Sequence, residues 1–463
     1  MSTMEEHLVQ QAPATALAAP KRPRKKAKLD LADAIPRPEV EVITATEERQ
    51  AKQVEKRAPK PTKCFESERA LSDRLVLGIE LDAEVLFGFL AAVEKITPAD
   101  KAYPILSSVR LTHEVGDAKL VIEAASNALW TAVAVTGVPH GDVGFSVMAP
   151  ALQAKNVVNL MRQDFKTLPL GISDGGLWIG AHRLAYGGKP EDFPSRPLLR
   201  PWEARAAVPA FYFDEICSRV LTAASVDPTK QGLHGVLLDF SLAEDRSVIC
   251  TAVGSDGGRM HILDLPRMKI QTRGAATPPS VMIGEQFFRY LRTVANREWT
   301  ALEVNETQAN AYGADYQAVA EVTLKGNAAT PGLMKWRAAN VEHRGCWAVD
   351  RHELERLLKQ AVSKGADPGV DLVVNATSEQ LTIMLYDQGH RHALPSIGTR
   401  RFDGPVTVAV HVNGQFLLEA VLACKTGLVQ LGFAQTPELQ RTSPVTIRGE
   451  DDLFKAVVMP LAY

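Results

Sequence analysis

No two of the five cysteines stand close together: Cys64, Cys217, Cys250, Cys346 and Cys424 are scattered, with no CxxC pair. This excludes a zinc ribbon and a disulfide framework, and predicts small core residues in a reducing compartment, the cytoplasm. No apolar run approaches the ~18 residues that a membrane helix needs, and the first residues lack the apolar stretch of a secretory leader. Neither GKS nor GKT occurs, so no nucleotide loop of that type is present. His390, His392 and His411 fall at no metal-ligand spacing and are read as solvent-exposed. The paired acids Asp451-Asp452 and Glu47-Glu48 lie in polar stretches and are read as facing water. No Ser/His/Asp set is visible. A non-enzyme without metal or cofactor is expected.

Charge of either sign is also scarce in excess. The 463 residues carry 52 Lys/Arg and 54 Asp/Glu, a net charge of −2. Residues 1–75 hold 15 of the basic and 12 of the acidic groups, so the rest of the chain has a net charge of −5. Such a body does not coat itself with nucleic acid; any phosphate-binding groups must be gathered in one place. Residues 1–75 are rich in Ala, Pro, Lys and Glu, have almost no aromatics and show no sustained period. A segment of that kind cannot bury enough apolar surface to offset its ordering entropy, and a disordered tail is expected. Its basic cluster KRPRKKAK (Lys21–Lys28) suits a nucleic-acid tether, a nuclear address or a solvated tail, the last being the simplest reading.

From Val76 onward the chain repeats itself. Helical patterns open at LDAEVLFGFLAAVEKI, FDEICSRVLTAAS and VDRHELERLLKQAVSKG, each with an aspartate placed to cap the helix: Asp82, Asp214 and Asp350. These lie 132 and 136 residues apart, a domain-sized period. A second series, IGEQFFRYLRTVAN and VNGQFLLEAVLACKTG, puts Gln286 and Gln415 129 residues apart, with APALQAKNVVNLMRQ as a weaker first copy. Between the helices run strand pairs such as SVRLTHEVGDAKLVIEAA, GVLLDFSLAEDRSVICTAVG and DLVVNATSEQLTIMLYD. The fold class expected is α+β, with three tandem domains at 76–200, 201–340 and 341–463, each holding two helices on antiparallel sheets.

The stretch TAVGSDGGRMHI (Thr251–Ile262) tests the remaining chemistry. A phosphate loop must lead into a helix, whose amides and dipole face the anion. Here the alternating RMHI runs into Pro266 too soon for a typical helix, so a strand follows. Asp256-Gly257 between two strands reads as a hairpin turn with positive φ at both positions.

These runs resemble one family, the bacterial DNA polymerase III beta subunit or DNA sliding clamp. AYPILSSVRL (Ala102–Leu111) is similar to its Pro-Ile-Leu segment, and KPEDFP (Lys189–Pro194) to the Asp-Phe-Pro end of its first domain. GLHGVLLDF with TAVGSDGGRMHI is similar to its Leu-x-Gly segment and Thr-Asp-Gly-His-Arg-Leu turn, and FKAVVMPLAY (Phe454–Tyr463) to its C-terminus. The resemblance covers residues 76–463. It implies a head-to-tail homodimeric ring, lined by helices, that encircles double-stranded DNA without reading sequence and tethers DNA polymerase, the clamp loader and other peptide-bearing partners. No membrane partner is implied, and a nucleoid-associated place in the cytoplasm is.

The peptide cleft implied by the match uses Leu233, Ser255, Gly257, Gly258, Arg259, Met260, Met459, Pro460 and Leu461, with Arg259 anchoring peptide carbonyls or packing on the tail. The DNA contacts implied are Lys155, Arg162, Arg219, Arg289, Arg292, Arg356 and Lys359 on helices, and Lys101 and Lys230 in loops. Gly258 stands where the family has histidine, Ala462-Tyr463 where it has Arg-Leu, Ser363–Gly369 where it has an apolar dimer-sealing pair, and Gln231-Gly232 where it has aromatics.

Overall fold

The computed structural model describes residues 76–98, 103–173, 175–227, 229–245, 247–273, 280–295, 299–324, 336–343, 346–364, 369–375, 377–387, 390–403, 407–450 and 453–461. The basic tail, Cys64, Lys101, both acid pairs, the middle of Ser363–Gly369 and Ala462-Tyr463 lie outside them.

Local chemistry starts each helix in its own way. The Asp82 carboxylate accepts the amides of Glu84 and Val85, both at 3.0 Å, and helix α1 (Ala83–Glu94) follows, burying Leu86, Leu90 and Val93. Asp350 accepts the Glu353 amide at 2.9 Å and starts α5 (Arg351–Lys364) likewise. The second copy departs from this. Its helix already begins at Phe211, so Asp214 falls inside the first turn and caps nothing. That helix, Phe211–Glu215, continues as one π-helical turn, Ile216–Val220, and the two together are α3. The other three helices are α2 (Ala151–Met161), α4 (Glu285–Val294) and α6 (Gly414–Ala423). In α4 the 3.6-residue period is plain: Phe287, Phe288, Tyr290, Leu291 and Val294 are buried, while Arg289 and Arg292 face out.

Around the helices one strand plan is drawn three times. In the first repeat Val76–Asp82 precedes α1; Ser108–His113, Lys119–Ala125, Leu129–Pro139 and Phe145–Pro150 precede α2; Thr167–Ser173, Gly176–Ile179 and His182–Leu184 close it. The second repeat has Ala204–Pro209, then Val236–Leu242, Val248–Ser255, Arg259–Asp264, Lys269–Thr272 and Val281–Ile283, then Trp299–Val304, Gln308–Tyr312 and Tyr316–Leu324. The third has Cys346–Asp350, then Gly369–Asn375, Gln380–Asp387, His390–Ala393, Ile397–Asp403 and Thr407–Asn413, then Leu428–Gly432, Val445–Gly449 and Phe454–Val458. The shared pairings are all antiparallel: the strand before the first helix lies against the strand after the second in all three.

Two further strand pairs join the repeats, and they are equivalent to each other. Tyr316–Ala320 at the end of the second repeat pairs with Leu129–Val133 of the first. Phe454–Val458 at the end of the third pairs with Arg259–Leu263 of the second. The same two strands are left over at the extremes: among the described residues His182–Leu184 pairs only with Gly176–Ile179, and His390–Ala393 only with Gln380–Asp387. The helices make contact in the order α2, α1, α4, α3, α6, α5, a single row crossing both joints. One apolar core runs through all three repeats, and a smaller separate cluster sits at each joint.

Candidate functional site

The second joint gathers most of the residues expected to form a cleft. Val248–Ser255 and Arg259–Asp264 form the hairpin that the Asp-Gly pair announces. Its turn chemistry differs from the expectation. Only Gly257 has positive φ, at 97°. Asp256 instead folds the corner with its side chain, accepting the amides of Gly258 at 2.9 Å and Arg259 at 3.1 Å. Ser255 Oγ accepts the Gly257 amide at 3.1 Å and donates to the Arg259 carbonyl. The corner is thus closed on itself, and no helix follows to receive an anion.

The C-terminal segment lies directly against this corner. The Met459 amide donates to the Gly258 carbonyl at 2.9 Å, Pro460 bridges to Val412, and the Leu461 amide donates to the His411 carbonyl at 2.8 Å. Met459 is exposed; Pro460 and Leu461 are half-buried. Beneath, Met260 is buried with Leu237, Val253, Ile262, Met282 and Val457, and Leu233 packs on this cluster from the side. The joint therefore offers an apolar floor with an exposed methionine at its edge. Lys230 reaches over the corner to the Asp256 carbonyl at 3.3 Å, which places it at this joint and not on the helix row.

Arg259 departs from the expected role. Its guanidinium donates to Asp256 at 3.0 Å, to Glu419 of α6 and to the Thr222 carbonyl at 2.7 Å, and stacks 4.3 Å above the Phe416 ring. With its side chain 10% exposed, it clasps the second repeat to the third, with each of its three nitrogens donating to this joint. Phe416 approaches so closely because position 258 is glycine: a Cβ there would stand 2.8 Å from the ring. Phe416, Glu419 and Asp256 were not among the expected site residues.

Behind the corner His261 is fully buried and sits edge-on to Phe454, with ring centroids 5.2 Å apart. Burial, above all other influences, lowers its pKa to about 4, so the ring is neutral at pH 7. Its Nδ1 lies 2.6 Å from the Arg219 carbonyl. Another expectation fails nearby. His411 is not a solvated histidine: its Nδ1 lies 2.8 Å from the carboxylate of Asp371, which is buried in the third repeat.

The helix row carries the expected DNA-contacting cations, and nearly all are already engaged. Lys155 pairs with Glu94 at 3.0 Å, Arg162 with Glu84 at 2.7 Å, Arg289 with Glu285 at 3.0 Å, Arg292 with Asp214 at 2.8 Å and Lys359 with Glu355 at 2.6 Å. Arg356 is exposed and has no ion pair among the described residues. Arg219 is a correction. The π turn inserts an extra residue and rotates it inward, where it is 4% exposed, pairs with Glu215 at 2.9 Å and stacks 4.6 Å from the Phe454 ring. It cannot present itself to a phosphate. The row is charge-compensated and not a basic lining.

Among the described residues no group of three or more His, Cys, Asp or Glu side chains could hold a metal ion, and no helix is long and apolar enough to cross a membrane. A cavity of about 430 Å³ lies at the first joint, lined by Tyr312, Tyr316, Glu303, Asn310, Asp315 and Arg196 among others, with the Tyr312 hydroxyl donating to Glu303 at 3.0 Å.

No family profile matches the sequence, and no curated protein matches it. Solved structures do. The beta sliding clamp of C. crescentus, with polyethylene glycol bound to the region assigned to beta-motif tethering, is 19% identical at a TM-score of 0.68, covering 84% of this chain and 100% of its own. The DNA polymerase III beta subunit of Thermotoga maritima is 15% identical at 0.69, and the sliding clamp of Bartonella birtlesii bound to griselimycin 16% identical at 0.67; each covers 84% of this chain and 100% of its own. These identities bear on fold, and all three proteins repeat the architecture built above from the strand pairings. The chain has the fold of the bacterial DNA polymerase III beta subunit, the beta sliding clamp.

Proposed function

We propose that the chain is a DNA sliding clamp: two copies close head to tail around duplex DNA, and the second joint of each tethers a polymerase or another partner by a short peptide. The observation that carries this reading is the equivalence of the two joints together with the two strands left over. Both joints add the last strand of one repeat to the hairpin edge of the repeat before it. His182–Leu184 and His390–Ala393 are the same two edges without each other, so a second copy can complete them by the pairing the chain already uses twice. The ends of the proposed domains, near 200 and 340, fall between the closing strand of one repeat and the opening strand of the next.

Retention on DNA tests this. After loading, the protein should remain on a circular duplex and be lost when the circle is cut; equal retention on both overturns enclosure. For the cleft, Met459→Ala combined with Leu461→Ala should weaken binding of a Gln- and Leu/Phe-containing peptide by about 2 kcal/mol or more, and unchanged affinity removes the cleft from that place.

The compensated helix row favours a second reading, a clamp-fold protein that captures peptides without encircling DNA. Cations already paired with carboxylates release few counterions on meeting phosphate, so the row itself supplies little affinity. Sedimentation distinguishes the two: a monomer at micromolar concentration supports the second reading, and a dimer supports the ring.

A further inference from the structure

The segment joining the second and third repeats includes a one-turn helix, Trp336–Ala339. Trp336 packs on the apolar cluster of the second joint, the cluster that contains Met260 and against which Leu233 rests. Its indole N–H donates to Asp239 Oδ2 at 2.7 Å. Arg337 donates to the same oxygen through Nε at 3.0 Å and Nη2 at 2.7 Å, and Ser280 donates to the other oxygen. Asp239 is buried, and these donors satisfy its carboxylate oxygens.

The first joint has the same device. Its cluster of Leu106, Ala125, Trp130, Met148 and Val319 is covered by Phe193, from the segment joining the first and second repeats. The covers differ in how they are held. Phe193 is 4% exposed, belongs to the cluster itself and lies under Arg110, which is committed to Glu123 at 2.6 Å. Trp336 is only half-buried, and its neighbour Arg337 reaches Asp239 from a side chain 58% exposed. A hold made at the surface exchanges with water far more readily than one made by burial.

We infer that Trp336 is a displaceable cover on the second joint, with Asp239 as its catch, so that an incoming peptide competes with the chain's own linking segment for one apolar floor. The inference rests on the cleft reading above and adds its regulation. Apparent affinity is reduced by the fraction of molecules in which the floor is uncovered. Loosening the cover must therefore tighten binding, the opposite of what loss of a wall would do.

The test is fluorescence anisotropy of a fluorescein-labelled hexapeptide, Gln at its first position and Leu-Phe at its end, titrated with the full chain, Trp336→Ala and Asp239→Asn. In parallel, an anilinonaphthalene sulfonate dye is added without peptide. With the cover closed in about nine molecules of ten, Trp336→Ala lowers Kd about tenfold and Asp239→Asn by a smaller factor, about threefold. Both variants also brighten the dye. An unchanged or raised Kd for Trp336→Ala makes Trp336 part of the binding wall and overturns the inference, as does dye emission equal to that of the unaltered chain. Brighter dye in both variants with no peptide binding in any protein keeps the cover and removes the peptide reading.

Discussion

The two joints share a strand plan and differ in what fills it. At the first, Ala132, Ala318 and Ala320 lie along the seam beside Trp130 and Val319, and Phe193 closes the cluster from inside. At the second, large and charged groups do the work: Arg259 spans Asp256, Glu419 and Phe416, His261 and Arg219 flank Phe454, and Trp336 lies half outside. The first seam is held mainly by burial, with Lys119 paired to Asp315 at 3.4 Å and the Tyr290 hydroxyl donating to the Ala132 carbonyl at 3.0 Å. The second is held by polar contacts that have alternatives in water, which is what a surface must have if it is to exchange one partner for another.

The largest effect expected is at the first seam. Phe193→Ala removes a buried aromatic and leaves a void, and should cost about 3–5 kcal/mol in urea unfolding. The counterpart Trp336→Ala, at a half-buried position, should cost well under half as much. Equal costs would erase the distinction between the seams.

Acid should act on the second seam. His261 has its pKa lowered to about 4, against an ordinary value near 6.5. Between those two values the unfolded chain binds a proton that the folded chain refuses, so stability rises with pH across that window and is lost as pH falls through it. The full effect is on the order of 3 kcal/mol. Carboxylates titrate in the same range, so the measurement is the difference between the unaltered chain and His261→Gln at pH 7 and pH 4.5. The variant should lose less stability on acidification, and parallel losses would show that His261 contributes nothing.

Arg259→Met keeps much of the stem and deletes the charge. Two carboxylates and a carbonyl each lose one donor, and about 2–3 kcal/mol should be lost, on the scale of breaking a half-buried ion pair. Arg259→Lys should recover little of it, because one ammonium cannot reach all three acceptors and stack on Phe416 as well. Recovery by lysine would reduce the clasp to a simple point charge.

How much of this was legible follows from the range of the interactions. Local chemistry read well: Asp82 and Asp350 announce their helices, Asp256-Gly257 announces its hairpin, and the alternation in the quoted strand pairs is matched by the ladders. Asp214 misled because Tyr212 and Phe213, both buried, begin the helix a turn early, an outcome fixed by packing and not by the cap. Arg219 misled because a π turn leaves no mark in the apolar period. Of the ion pairs in the helix row, Glu285–Arg289 and Glu355–Lys359 stand four residues apart and were within reach, whereas Arg162 and Glu84 are 78 residues apart and only the folded row brings them together. Trp336 belongs to no periodic segment; its partner Asp239 stands in a strand 97 residues earlier.

The smallest effect sharpens the comparison most directly. At Gly258 the backbone φ is an ordinary negative one, so a side chain is excluded by space alone, and the space is taken by Phe416 at 2.8 Å from where a Cβ would be. Gly258→Ala must push that ring away, and because Phe416 is half-buried it can yield, at about 1–2 kcal/mol. The displaced ring no longer lies under the Arg259 guanidinium. If the second seam is a clasp of interlocking parts, Gly258→Ala and Phe416→Ala are not additive: the double variant should be less destabilised than the sum of the two singles, since the clash disappears with the ring. Strict additivity would mean that glycine at 258 serves the turn and not the clasp, and the second seam would then differ from the first only in the size of its side chains.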